Sequence, residues 1–196
     1  MSVAANAAGE HERRLGAEVA VLLGDARQLT ESMPELRRTG LVLRIKGGLA
    51  GLALLVRQAR ETNPALPALP LDAAGGIRQA LDGQNWPLAV SSLAALAQAY
   101  PFDPGGILSA EATPQQLRIG KAIHEQTCAG CHDNPDADAM LPAQKLFGRA
   151  RTMTDIEFAA RLYASVRGDA LTALANPLGA SEMAALMAYY RQGAKD

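Results

Sequence analysis

Cysteine, histidine, aromatic residues and net charge are all scarce in this chain of 196 residues. Two cysteines cannot build a disulfide framework. A formal net charge of -1 leaves no electrostatic footprint for nucleic acid or an anionic membrane. Aromatic residues make up 4% of the chain, and no segment alternates with period two long enough to suggest a strand. The amino terminus, MSVAANAAGEHERRLG, lacks the apolar core of a secretion signal. The most apolar stretch, Gly47 to Val56, is shorter than the ~20 residues that span a bilayer. It reads as a buried helix, so no transmembrane segment is expected in this chain.

What is present is alanine, leucine and helical periodicity. Hydrophobic residues are 48% of the chain, enough for one large core or two small ones. The expected fold class is all-α. Leu15, Val19, Leu22, Ala26 and Leu29 recur at helical spacing from His11 to about Thr30. Ser32 and Glu35 suggest a capping box, with Pro34 in the first turn of a second helix. That helix runs to about Arg60 through Leu41, Ile45, Leu49, Leu52 and Val56; glycines 40, 47, 48 and 51 mark close packing or a kink. A proline-punctuated connection, NPALPALPLD, leads to a short helix that Asp82-Gly83 ends. Asn85 caps the next helix, which reaches about Tyr100.

These helices suggest a bundle over residues 1–105, with YPFDPGGILSAEA as the boundary to a second domain, 106–196. There, Thr113, Pro114 and Gln116 open a helix that runs into CAGCH. Thr154 and Glu157 open another, ending near Arg167-Gly168, and a last helix runs from about Ser181 to Gly193.

Both cysteines and two of the three histidines fall within HEQTCAGCHDN, His124 to Asn134. Type c haem attachment needs two thiols for two vinyl groups and an imidazole for the iron. Cys128 and Cys131 are one helical turn apart, and His132 follows at once, which matches the attachment signal. A thioredoxin-like redox pair expects a βαβ context that the chain does not suggest. A structural zinc site needs four ligands, and beyond the cysteines only His132, His124 and distant His11 remain, apart from carboxylates.

Residues 114 to 193 resemble a class I-type single-haem cytochrome c, through GKAIHEQTCAGCH, LPAQKLFG and SEMAALMAYYRQG. The resemblance implies covalent haem on Cys128 and Cys131, with His132 as proximal iron ligand. It implies that Gly120 lies where the first and last helices touch. Met187 and Tyr190, or Leu186 and Tyr189, are then expected to face the first helix. It further implies that the Pro142 carbonyl accepts the N–H of His132.

Two positions depart from the family pattern. His124 stands where the family has an aromatic residue, and is expected to pack against Tyr189 or Tyr190. The family's distal methionine is replaced by Asn176-Pro177, in the loop GDALTALANPLGA. Asn176 or Met183 is the candidate distal ligand, while Met140, Met153 and Met33 are expected to fill cores. Asp133, Asp136 and Asp138 lack the glycine and distant glutamate of a calcium loop and read as a solvated loop.

The expected function is electron carriage between redox proteins, without catalysis. The rival is a haem protein with an open or Asn176-ligated iron that binds NO, CO or O2. A peroxide-consuming enzyme would need distal acid–base groups, and Asp169 and Asn176 are all the loop offers. Covalent haem in this family implies a periplasmic or otherwise extracytoplasmic location, with any leader absent from this chain. The amino-terminal helices are expected to dock a partner or form a homodimer.

Overall fold

The computed structural model describes residues 8–108, 112–164 and 176–192, and all regular structure among them is helical. The chain divides into two compact units, Met1–Gly105 and Gly106–Asp196.

The first unit holds α1 (Glu10–Gln28), α2 (Glu35–Thr62), α3 (Ala73–Asp82) and α4 (Trp86–Ala99). Helix α1 packs on α2 and α4, and α3 packs on both α4 and α2. The apolar residues at helical spacing turn inward: Leu15, Val19, Leu22 and Leu29 of α1 and its end meet Leu41, Ile45, Leu49 and Leu52 of α2, all buried. Gly48 is the close-packing glycine, since a β-carbon there would come 2.6 Å from Leu22 Cδ2. At Gly47 and Gly51 the same atom would meet nothing. Asp25 is fully buried beneath α2, gripped by Arg44 through two hydrogen bonds of 2.7 Å.

Two sequence-based expectations change in this unit. Pro34, in extended backbone, is the residue before α2, and no side chain caps the helix. Glu35 is thereby the first helical residue rather than the third that a box on Ser32 requires, and its exposed carboxylate lies 3.6 Å from Arg38. Helix α2 has about the expected extent, but the expectation of no transmembrane segment rested on its apolar centre alone. At 28 residues, it is long and apolar enough to cross a membrane by length and composition alone. Its inner face serves the core, while Leu36, Leu43 and Leu54 are exposed on the other side. Asn85 caps α4 as expected, accepting from the Leu88 N–H at 3.2 Å.

The second unit holds α5 (Pro114–Ile123), a π-helical turn (His124–Cys128), α6 (Ala129–His132), α7 (Leu146–Thr152), α8 (Asp155–Ala164) and α9 (Ala180–Gln192). The capping box of Thr113 and Gln116 is formed in full. Thr154 Oγ1 accepts from the Glu157 N–H at 3.2 Å, while the Glu157 carboxylate turns to Arg161. The core of the unit is the crossing of α5 and α9. A β-carbon on Gly120 would overlap the Ala185 carbonyl and lie 2.7 Å from Tyr189 Cβ. Helices α7 and α8 pack on α9 and on each other.

Candidate functional site

Helix α5 delivers the cysteines without a break, but not as a regular α-helix. From His124 to Cys128 the backbone widens into a π turn, closed by the Ala129 N–H on the His124 carbonyl. Such a turn adds a residue to the helical cycle and is characteristic of functional positions. It rotates CAGCH relative to the face of α5 that meets α9. Cys128 is partly buried, Cys131 is exposed, and both are free thiols.

His132 is held by its backbone-facing nitrogen. Nδ1 lies 2.6 Å from the Gln144 carbonyl oxygen. A carbonyl only accepts, so Nδ1 carries a proton, and the nitrogen left for a metal is Nε2. Such a bond orients an imidazole and strengthens it as a metal donor. The acceptor corrects the sequence-based choice of Pro142. Proline differs from other residues in lacking an N–H, not in its carbonyl, so the path of residues 133–145 decides which oxygen reaches the ring.

His124 lies inside the unit at 4% exposure. Its ring packs against Tyr189 and Tyr190, as expected, and also edge-on to Phe147, at centroid distances of 5.7, 5.5 and 5.4 Å. Nδ1 lies 3.0 Å from the Tyr190 hydroxyl, and Nε2 lies 3.3 Å from Asp133 Oδ1. Burial, then the neighbouring Cys128 thiol and the nearby charges, push the Tyr190 phenol far above its ordinary range. Tyr189, less enclosed, is raised by burial and by Glu125 and Asp133, against the opposing charge of Lys121.

The two distal candidates lie side by side. Asn176 Nδ2 donates to the Leu162 carbonyl and approaches Met183 Sδ at 3.6 Å. Asn176 Oδ1 accepts from the Leu178 N–H at 3.0 Å. Both ends of this amide are engaged, clamping the chain before α9 to the end of α8. Met183 is 3% exposed in the first turn of α9. Met140 is exposed in the loop after His132, and the Met153 carbonyl accepts from Arg191. Asp169 and residues 165–175 lie outside the described residues.

Three contributors were not singled out from the sequence: Gln144, whose carbonyl has no side-chain signature; Asp133 as the partner of His124; and the tyrosine hydroxyl beside Cys128. Asp136 behaves as an ordinary loop residue, accepting from the Asp138 N–H at 3.0 Å. Among the described residues, no three His, Cys, Asp or Glu side chains converge as a metal-holding group, so a four-ligand zinc centre has no framework there. The free thiol pair, followed by an imidazole already fixed through Nδ1, fits type c haem, whose porphyrin supplies the other four donors. No protein-family model, curated protein or solved structure matches the chain.

Proposed function

We propose that the unit Gly106–Asp196 is a c-type cytochrome domain that carries single electrons between redox proteins. Cys128 and Cys131 hold the haem as thioethers, and His132 Nε2 binds the iron. The observation that carries this reading is the 2.6 Å bond from His132 Nδ1 to the Gln144 carbonyl. It leaves the correct nitrogen for a metal and fixes the ring in advance. Bound there, the iron supplies a one-electron couple.

The chain's own residues orient and enclose the group. The glycine crossing of α5 on α9 and the rings of Phe147, Tyr189 and Tyr190 hold the attachment helix rigidly. Met183 is the stronger distal donor, because thioether sulfur suits haem iron and the Asn176 amide is already engaged. Asn176 then positions Met183 rather than binding iron. Thioether attachment in this family takes place outside the cytoplasm, which sets the proposed location. We assign the unit Met1–Gly105 to docking or self-association.

The engaged Asn176 also favours a second reading. If Met183 Sδ stays with Asn176, the far face of the haem is open to NO, CO or O2. Mass spectrometry of the chain matured with haem tests both readings, through the mass of one covalent haem. Spectra of the ferrous protein under carbon monoxide then separate them. An unchanged spectrum supports the carrier, and a rapid shift supports the ligand-binding protein. A chain that acquires no covalent haem overturns both.

A further inference from the structure

We propose that the exposed side of α2 is the dimer interface of this protein, and that α2 of a second copy covers it, running antiparallel. The proposal deepens the assignment of the unit Met1–Gly105 to self-association and rests on it; it is independent of the haem. It begins from an apolar surface that the unit itself does not use. Only 33% of the most apolar window of α2 is buried, whereas a helix apolar on all sides is normally enclosed. Leu36, Leu43 and Leu54 are exposed at 52%, 55% and 48%. They stand about two and three helical turns apart, on one line along the helix. Leu41, Ile45, Leu49 and Leu52 occupy the opposite side and fill the core. Gly47 and Ala50, also exposed, lie on the outer line between Leu43 and Leu54. No charged residue occurs from Gly47 to Val56. Leu71, fully exposed, widens the strip across a groove from Ala53 and Arg57. Single exposed leucines are ordinary, but a continuous line of them marks an interaction surface.

The charges at the two ends of the strip select what covers it. Glu35 stands at one end with its side chain 80% exposed, and Arg57 at the other, 72% exposed. Arg60 is exposed about one turn beyond Arg57, on the flank of the helix that also carries Glu35. Glu35 and Arg57 have only surface pairs on their own helix, with Arg38 at 3.6 Å and Glu61 at 3.9 Å, and such pairs are weak. In a parallel pair of α2 helices each of these charges would meet its own copy. In an antiparallel pair, with Leu43 against the partner's Leu54, Glu35 falls within a turn of the partner's Arg60, and the reverse contact follows from two-fold symmetry. Arg37 lies on the far flank and is turned to Gln28. The strip is therefore complementary to itself. A bilayer would favour cations at both ends, whereas exposed Glu35 and Glu61 border this strip.

The available area fits a modest dimer. A helix of 28 residues is about 42 Å long, and a face about 10–12 Å wide gives roughly 400–500 Å² for each copy. The pair buries about 1,000 Å², the lower limit for a specific interface. Association is thus expected to be weak and concentration-dependent.

The experiment is sedimentation equilibrium of the full chain as matured, from low micromolar to submillimolar concentration, with the mass of covalent haem recorded first. We expect the mass to move from that of one chain to that of two. Leu43→Glu, at an exposed helical position, should weaken association about a hundredfold, because symmetry places the change in the interface twice. Glu35→Arg should weaken it about tenfold, and Glu35→Arg combined with Arg60→Glu should restore it. Where Leu43→Glu does not fold, this charge exchange carries the test, since both its positions are exposed. A chain that stays monomeric throughout overturns the proposal and the self-association reading together. A dimer unaffected by Leu43→Glu and by Glu35→Arg overturns the proposal and leaves self-association standing on another surface. A dimer that Leu43→Glu breaks but the charge exchange does not restore overturns the antiparallel pairing. A monomer that binds vesicles of anionic phospholipid, and releases them with Leu43→Glu, overturns the proposal and assigns the strip to a bilayer. The haem reading stands or falls separately, on the covalent mass.

Discussion

Gly120 of α5 lies so close to the Ala185 carbonyl of α9 that no β-carbon fits between them. The two helices that frame the candidate haem site are joined there through backbone contact. Gly120→Ala should destabilise this unit by about 1–3 kcal/mol through overpacking, partly offset by about 1 kcal/mol of helix propensity. Gly47→Ala, where the added carbon meets nothing, should raise stability by up to about 1 kcal/mol. Urea unfolding of the two variants checks the opposite signs.

Tyr190 makes stability depend on alkaline pH. Its phenol is raised far above the ordinary value of 10.0, chiefly by burial. The unfolded chain therefore ionises first, and above about pH 10 it holds fewer protons than the folded chain. Stability from this group is complete below about pH 10 and falls by about 1.4 kcal/mol per pH unit above it. Tyr190→Phe should remove most of that slope, although it also loses the hydroxyl bond to His124. Urea midpoints measured between about pH 9 and 11.5 give the comparison.

Met183 separates the carrier from the ligand-binding reading. In the haem-loaded Met183→Ala protein, the distal donor is gone and carbon monoxide should bind rapidly to the ferrous form. The wild type should resist it. Equal binding by both proteins would show that Met183 sulfur does not reach the iron.

In the other unit, Asp25 and Arg44 form a forked pair, with both hydrogen bonds at 2.7 Å and the carboxylate fully buried. Arg44→Ala removes both forked hydrogen bonds from a fully buried carboxylate and should destabilise the unit, by up to about 3–5 kcal/mol. Replacing both partners with apolar residues of similar volume should cost much less, and can even stabilise. Thermal unfolding of the single and double variants measures the difference.

The sequence by itself determined whatever depends on near neighbours along the chain. Helical class, the inward faces of α1 and α2, the caps at Asn85 and Thr113 and the CxxCH spacing all rest on contacts within a few residues. Periodicity and capping chemistry report such contacts directly. Even locally a start can shift, as α2 shows by beginning at Glu35, which leaves the expected box of Ser32 and Glu35 out of register.

Tertiary structure decided the rest. The carbonyl that meets His132 belongs to Gln144 because the loop from 133 to 145 follows one path, and every backbone carbonyl is an equal candidate until that path is set. Asp133 became a partner of a buried imidazole, and Asn176 a clamp on Leu162 and Met183, through contacts that span more than a helical turn and depend on the path of the loops between. The π turn at His124–Cys128 begins at a residue whose ring packs against Phe147 of α7 and Tyr190 of α9, contacts that its own five residues do not contain. Local sequence limits what each segment can do, but the energy that selects among those options comes from packing, which no short stretch contains.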